Sequence, residues 1–164
     1  MRRLVPTPDH NFILPEKAMT SDSVPPESFD DLAQVAAARR TELAKTYLSA
    51  SQAQSLLGID SATLTDWRKG KRLLGVWHEP AKAWLYPDFQ FDHQGLHVQM
   101  PQLLAVFDRH YSHVWSNTWT IVEWFLSPHA LLDGARPMDI LACELERVLE
   151  IAKSEFLQDP STQW

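Results

Sequence analysis

Apolar residues at Phe29, Leu32, Ala36, Leu43 and Tyr47 fall on one helical stripe, interrupted by Arg39-Arg40, with Ser28 or Asp30 placed to cap its start. A helix is expected over about residues 30–48, with that stripe inward. Ser49 to Gly58 reads as a short helix entered at a Ser and stopped by Gly58, just past its last apolar residue, where a positive φ is needed. Asp60 or Ser61 then offers a cap for a second short helix, Ala62 to Lys69, with Leu64 and Trp67 joining Ile59 on the buried side and Gly70 ending it. The period next shifts: Leu73 to Trp77 and Trp84 to Phe91 are short aromatic runs broken by Gly and Pro, followed by the turn-like Asp92-His93-Gln94-Gly95, and predict two or three small strands. Helical spacing returns at Met100, Leu103, Leu104, Phe107, Tyr111, Val114 and Trp115, with Pro101 suited to a first turn. Thr118 to Leu126 predicts another helix, Ser127-Pro128 a short one stopped at Asp133-Gly134, and Pro137 opens the next. Leu145, Val148, Leu149, Ala152 and Phe156 give the final amphipathic helix.

Two short helices joined by a Gly turn, the second closing in Arg68, Lys69, Lys71 and Arg72, have the sequence shape of a helix-turn-helix. With Ile59, Leu64 and Trp67 inward, Ser61, Ala62, Thr65 and Asp66 lie on the opposite face near the helix start. There Ser61, Ala62 and Thr65 are the candidates for base edges, and the four cations flank them as candidate phosphate contacts. A solvated cationic helix end, favoured by the helix dipole, is the plainer reading of the same residues. One position departs from the usual pattern: four residues before Gly58, where such units hold Ala, stands Gln54, with Ala53 beside it.

The chain has 164 residues, 45% of them hydrophobic and 22% charged, the balance of a globular chain with a core and too short for a barrel or a two-domain cofactor enzyme. Its net charge of −6 argues against coating nucleic acid over the whole surface. The charge is polarised: residues 61–76 carry four cations against Asp66 alone, whereas residues 123–164 carry eight acids against three bases and suit a neutral or basic protein partner. Residues 1–30 hold five prolines and a Ser/Thr/Asp cluster, and read as a mobile arm. Basic residues at Arg2-Arg3 without an apolar stretch behind them, and no run of about 18 apolar residues, predict neither export nor a membrane span and place the chain in the cytoplasm.

Candidate chemistry is sparse. The lone Cys143 excludes an internal disulfide and a cysteine zinc cage, and between Leu141 and Leu145 it reads as a small buried hydrophobe. His110 and His113 share a metal-compatible spacing without a third ligand near, so no metal site is expected. Nucleophile-elbow and phosphate-loop motifs are both missing. No catalytic residue, no cofactor and no enzyme activity are expected. Trp115, Trp119, Trp124 and Phe125 lie within eleven residues, and Trp124 stands off the line of the others; these rings either pack against neighbouring helices or form a partner face.

Trp84-Leu-Tyr-Pro-Asp-Phe-Gln-Phe-Asp92, preceded by Gly58-Ile59 and Trp67-Arg68, and followed by the block Trp124 to Leu141 with Pro128, Leu131, Gly134 and Pro137, resembles the Xre/MbcA/ParS group of bacterial antitoxins over roughly residues 45–155. The resemblance implies an N-terminal DNA-binding part that represses its own operon. It also implies a C-terminal helical domain that occludes a co-encoded toxin of the RES or ParT type, acting on NAD or transferring ADP-ribose. On that resemblance Trp124, Asp133, Arg136, Glu144 and Arg147 are the candidate toxin contacts. The expected architecture is mainly α: a flexible arm (1–29), a helix-turn-helix domain with a small hairpin (30–98) and a helical toxin-binding domain (99–164). Such a repressor, reading dyad-symmetric DNA, would be a homodimer. A stand-alone regulator without a toxin is the alternative, its C-terminal helices serving dimerisation. An adaptor without DNA binding, suggested by Gln54 and the acidic total, is a third.

Overall fold

The computed structural model describes residues 28–110 and 115–156. The arm up to residue 27, Tyr111, His113, Val114 and the tail from Leu157 lie outside the described residues, as do the side chains of His110 and Phe156. The architecture is mainly helical with small antiparallel sheets: α1 (Phe29–Ala44), β1 (Leu48–Ser49), α2 (Ala50–Leu57), α3 (Ser61–Lys69), β2 (Val76–His78), β3 (Ala83–Tyr86), β4 (Phe91–Asp92), β5 (Gly95–Leu96), α4 (Met100–His110), α5 (Trp119–Leu126) and α6 (Pro137–Phe156).

Local chemistry explains the short helices. The Ser49 hydroxyl accepts from the Gln52 N–H and the Gln52 side chain reaches back to the Ser49 N–H at 2.8 Å, a capping box that starts α2. Gly58 ends α2 at φ 65, its N–H bonded to the Gln54 carbonyl, and Asp60 accepts the Thr63 N–H at 2.7 Å to start α3. A hydrogen bond from the Thr63 side chain, and secondarily that backbone bond, holds the Asp60 carboxyl below its usual pKa.

In the three-stranded sheet β3 is central, with Leu48 opposite Tyr86 on one side and Trp77 opposite Trp84 on the other. β4 and β5 form a tight hairpin, Phe91 opposite Leu96. The sheet separates two apolar clusters. The smaller holds Ala53, Leu64, Leu73 and Tyr86, with Ile59 and Trp67 packed against it. The larger gathers Leu103, Leu104 and Phe107 of α4, Ile121, Val122 and Phe125 of α5, and Leu141, Val148 and Ala152 of α6 around Tyr47, Leu74 and Val76.

Two expectations need correction. The α1 stripe is not inward along its length: no residue of α1 is buried, Phe29 is 92% exposed and Leu32 51%, and only Leu43 at the far end packs on the core. Cys143 is exposed, because Leu141 takes the core-facing position and a residue two places on lies about 200° around the helix; the backbone then leaves helical geometry at Glu144 (φ −132, ψ 39). That kink at Glu144 divides α6 into two helical stretches, in keeping with the two the pattern suggested. The fully buried small residue of α2 is Ala53, and Gln54 beside it is half-buried.

Candidate functional site

On α3, Ala62 lies opposite Leu64 with Ser61 and Thr65 on the flanks; Ser61 and Ala62 are exposed in the first turn and Thr65 is half-buried one turn later. Ser61 and Ala62 therefore flank the capped, partially positive start of the helix, and Asp66 is exposed one turn further on.

The four cations do not form one free cluster. Arg68 lies with its guanidinium carbon 3.8 Å from the centre of the Trp84 ring. Its methylenes fill the notch at Gly75, where a Cβ would come within 2.7 Å of Arg68 Cδ. Burial pushes the neighbouring Tyr86 phenol above its usual pKa, against the pull of Arg68. Lys71, in left-handed backbone at φ 57, forms an ion pair with Asp108 of α4 and stands 5.3 Å from the Trp115 ring centre. Arg72 is exposed and rests over Trp67 at 4.9 Å. The Lys69 side chain is exposed and makes no hydrogen bond, ion pair or ring contact with any described residue. Two of the four, Arg68 and Lys71, thus brace the fold, while Lys69 and Arg72 face outward.

On α6, Arg147 bridges two of the acidic candidates, bonding Asp133 and Glu144 at 2.9 Å each, and also reaches the Leu131 carbonyl at 3.3 Å. Three residues separated in sequence are thereby brought together on the exposed side of the α6 kink, next to Leu131, which is 58% exposed. Arg136 stands apart in a two-pronged pair with Asp139, both bonds 2.7 Å; the guanidinium holds the Asp139 carboxyl below its usual range. Trp124 is half-buried. Its Nε1 donates to Glu155 at 2.9 Å, its ring meets Phe107 and Phe125 edge-on, and His129 spans from Glu155 to the Trp124 carbonyl. Of the candidate toxin contacts, Trp124 is thus the one most involved in holding helices together.

Sequence reasoning missed a cavity of about 570 Å³ between α1, the β2–β3 hairpin and the segment entering α5, walled by Trp77, Trp84, Trp115 and Trp119 with Arg40 and Thr41 at the α1 side. Both ring nitrogens of His78 and the Trp115 Nε1 are buried at its wall without partners among the described residues. The readable signal was the pairing of two aromatic runs across one hairpin, which sets Trp77 directly opposite Trp84. Among the described residues no group of three or more His, Cys, Asp or Glu side chains could hold a metal, and no helix is long and apolar enough to cross a membrane. No protein-family model, no curated protein and no solved structure matches the chain.

Proposed function

We propose that the chain is a DNA-binding antitoxin: α2 and α3 act as a helix-turn-helix that represses its own operon, and the acidic α5–α6 half binds and neutralises a co-encoded toxin. The observation that carries the DNA half is the outer surface of α3, with Ser61 and Ala62 exposed and Thr65 half-buried while Leu64, Ile59 and Trp67 anchor the unit, and with exposed Lys69 and exposed Arg72, the latter over the Trp67 ring, placed to meet phosphates. The toxin half rests on the antitoxin resemblance and on the linked Asp133, Glu144 and Arg147 surface beside Leu131.

A gel-shift titration with the DNA upstream of its own gene tests the first half. Wild type should bind it over random DNA, Ser61→Ala with Thr65→Ala should erase that preference, and Lys69→Ala should lower the salt slope by about one. Lys69 is a cleaner probe than Arg68, whose removal would also strip the Trp84 stack. Absence of any preference overturns the repressor reading and favours an adaptor, the reading supported by Arg68 and Lys71 being tied to Trp84 and Asp108. Co-expression with the adjacent gene, scored for growth rescue and co-purification, tests the second half: a toxic neighbour rescued by wild type but not by Arg147→Glu supports it. A harmless neighbour that never co-purifies leaves a stand-alone regulator.

A further inference from the structure

The tryptophan-walled cavity has the size and composition of a small-molecule site. Its volume of about 570 Å³ falls within the roughly 300–1,000 Å³ of ligand pockets, which combine apolar and aromatic walls with a few placed polar groups. Bonds across the fold fix the walls: Trp119 Nε1 donates to the Trp77 carbonyl at 3.0 Å, the Thr118 hydroxyl to the Gly75 carbonyl at 2.7 Å, and Trp77 stands edge-on to Trp84 with ring centres 5.6 Å apart. The charges of the lining are unequally matched. Glu79, its one acid among the described residues, already accepts from Trp77 Nε1 at 2.6 Å and pairs with Lys82. Arg40 is half-buried, and its guanidinium stands 5.8 Å from the Trp119 ring centre without a hydrogen bond or ion pair to any described residue.

We propose that this cavity binds a small, flat aromatic carboxylate, its ring among the indoles and its carboxylate on the Arg40 guanidinium. A cationic guest, a frequent occupant of aromatic cages, is disfavoured because the rings already carry cations: Arg40 at Trp119, Arg68 at Trp84 and Lys71 at Trp115. An uncharged guest gains the ring contacts but leaves Arg40 unanswered. One guanidinium facing the cavity, with Glu79 already matched by Lys82, suits a single negative charge, and its parallel N–H donors fit the two oxygens of a carboxylate. Beside half-enclosed aromatic walls that pair is screened less than on an open surface. The site goes beyond the antitoxin reading and requires neither DNA nor toxin.

Calorimetric titration of the full chain with three probes that share one ring and differ in charge tests it: indoleacetate, its uncharged amide and the cationic tryptamine. Indoleacetate should bind once per chain and about tenfold tighter than the amide, with tryptamine weakest. Arg40→Gln should bring indoleacetate down to the affinity of the amide, whereas Arg39→Gln, outside the lining and paired with Glu123, should leave it unchanged. Ala37→Trp, at an exposed position of the wall, should abolish binding of acid and amide alike. None of these three side chains is buried, so each variant should keep the far-ultraviolet signal of wild type. Equal affinity for the three probes, or an Arg40→Gln variant that still prefers the acid, overturns the carboxylate. Binding that survives Ala37→Trp overturns the location, and no saturable heat at millimolar probe overturns the site. The ranking of the probes on wild type needs no variant, and every result is read without DNA, so a failure here is distinct from a failure of the gel shift.

Discussion

Gln90 shows how one polar residue can hold a core together. Its side chain is fully buried, yet every demand of the amide is met: Oε1 accepts the Leu74 N–H at 2.9 Å, and Nε2 donates to the Leu74 and Pro87 carbonyls at 2.8 and 3.0 Å. It thus supplies Leu74 with the two bonds a neighbouring strand would otherwise make. Gln90→Leu keeps the volume but strands three backbone groups, so the urea midpoint should fall by the equivalent of about 3 kcal/mol. Tyr47 is the contrary case. Its ring stacks on Trp119 at 6.1 Å between centres, but its hydroxyl is buried with no partner among the described residues. Burial, and secondarily Asp88 and Glu123, push that phenol well above its usual pKa. Above a pH of about 10 the unfolded chain releases the Tyr47 proton while the folded one keeps it, so stability is intact below that point and declines beyond it. Tyr47→Phe should leave neutral-pH stability within about 1 kcal/mol of wild type and shallow the alkaline decline in thermal melts.

At the scale of elements, the parts that could be read in advance are those decided by neighbours in the chain. The Ser49 capping box, the left-handed Gly58 and the Asp60 cap each need only residues three or four apart, and α2 and α3 fall within a residue of the expected limits. Ser49→Ala should remove about 1 kcal/mol from a chemical unfolding curve, with α2 amides losing hydrogen-exchange protection first. What was not readable depends on partners distant in sequence. An apolar stripe states which side of α1 wants cover, not whether this chain provides it, and here Phe29 and Leu32 are left to solvent. Standing between Leu141 and Leu145 in sequence does not put Cys143 on their face, because two residues turn the helix about 200° and the Glu144 kink changes its phase between them. Nor does a run of cations announce which of its members are committed. Arg68 and Lys71 turn away from open solvent only because β3 brings Trp84 to one and α4 brings Asp108 to the other. The two-residue β1 left no pattern to detect.

Over the whole molecule, the boundary expected near residue 98 runs through shared packing. Tyr47, Leu74 and Val76 lie in the same cluster as α4, α5 and α6, and Leu96 is packed against both clusters. Polar ties cross at the same place: the Thr118 hydroxyl donates to the Gly75 carbonyl at 2.7 Å and Trp119 Nε1 to the Trp77 carbonyl at 3.0 Å. Removing residues before 99 would uncover the face of α5 that Tyr47 and Val76 close, and leave Thr118 and Trp119 without these acceptors. A fragment spanning residues 99–164 should therefore lack a cooperative melt. The intact chain should unfold in one step, its tryptophan fluorescence and far-ultraviolet signals superimposing across urea. Two separated transitions would mean that the clusters stand alone, and that α4 to α6 could engage a partner after the α2–α3 unit had melted. On the proposed function, a single one means that a partner at the α6 kink and DNA at α3 would each stabilise the same folded state, so that either ligand would shift the urea midpoint of the entire chain.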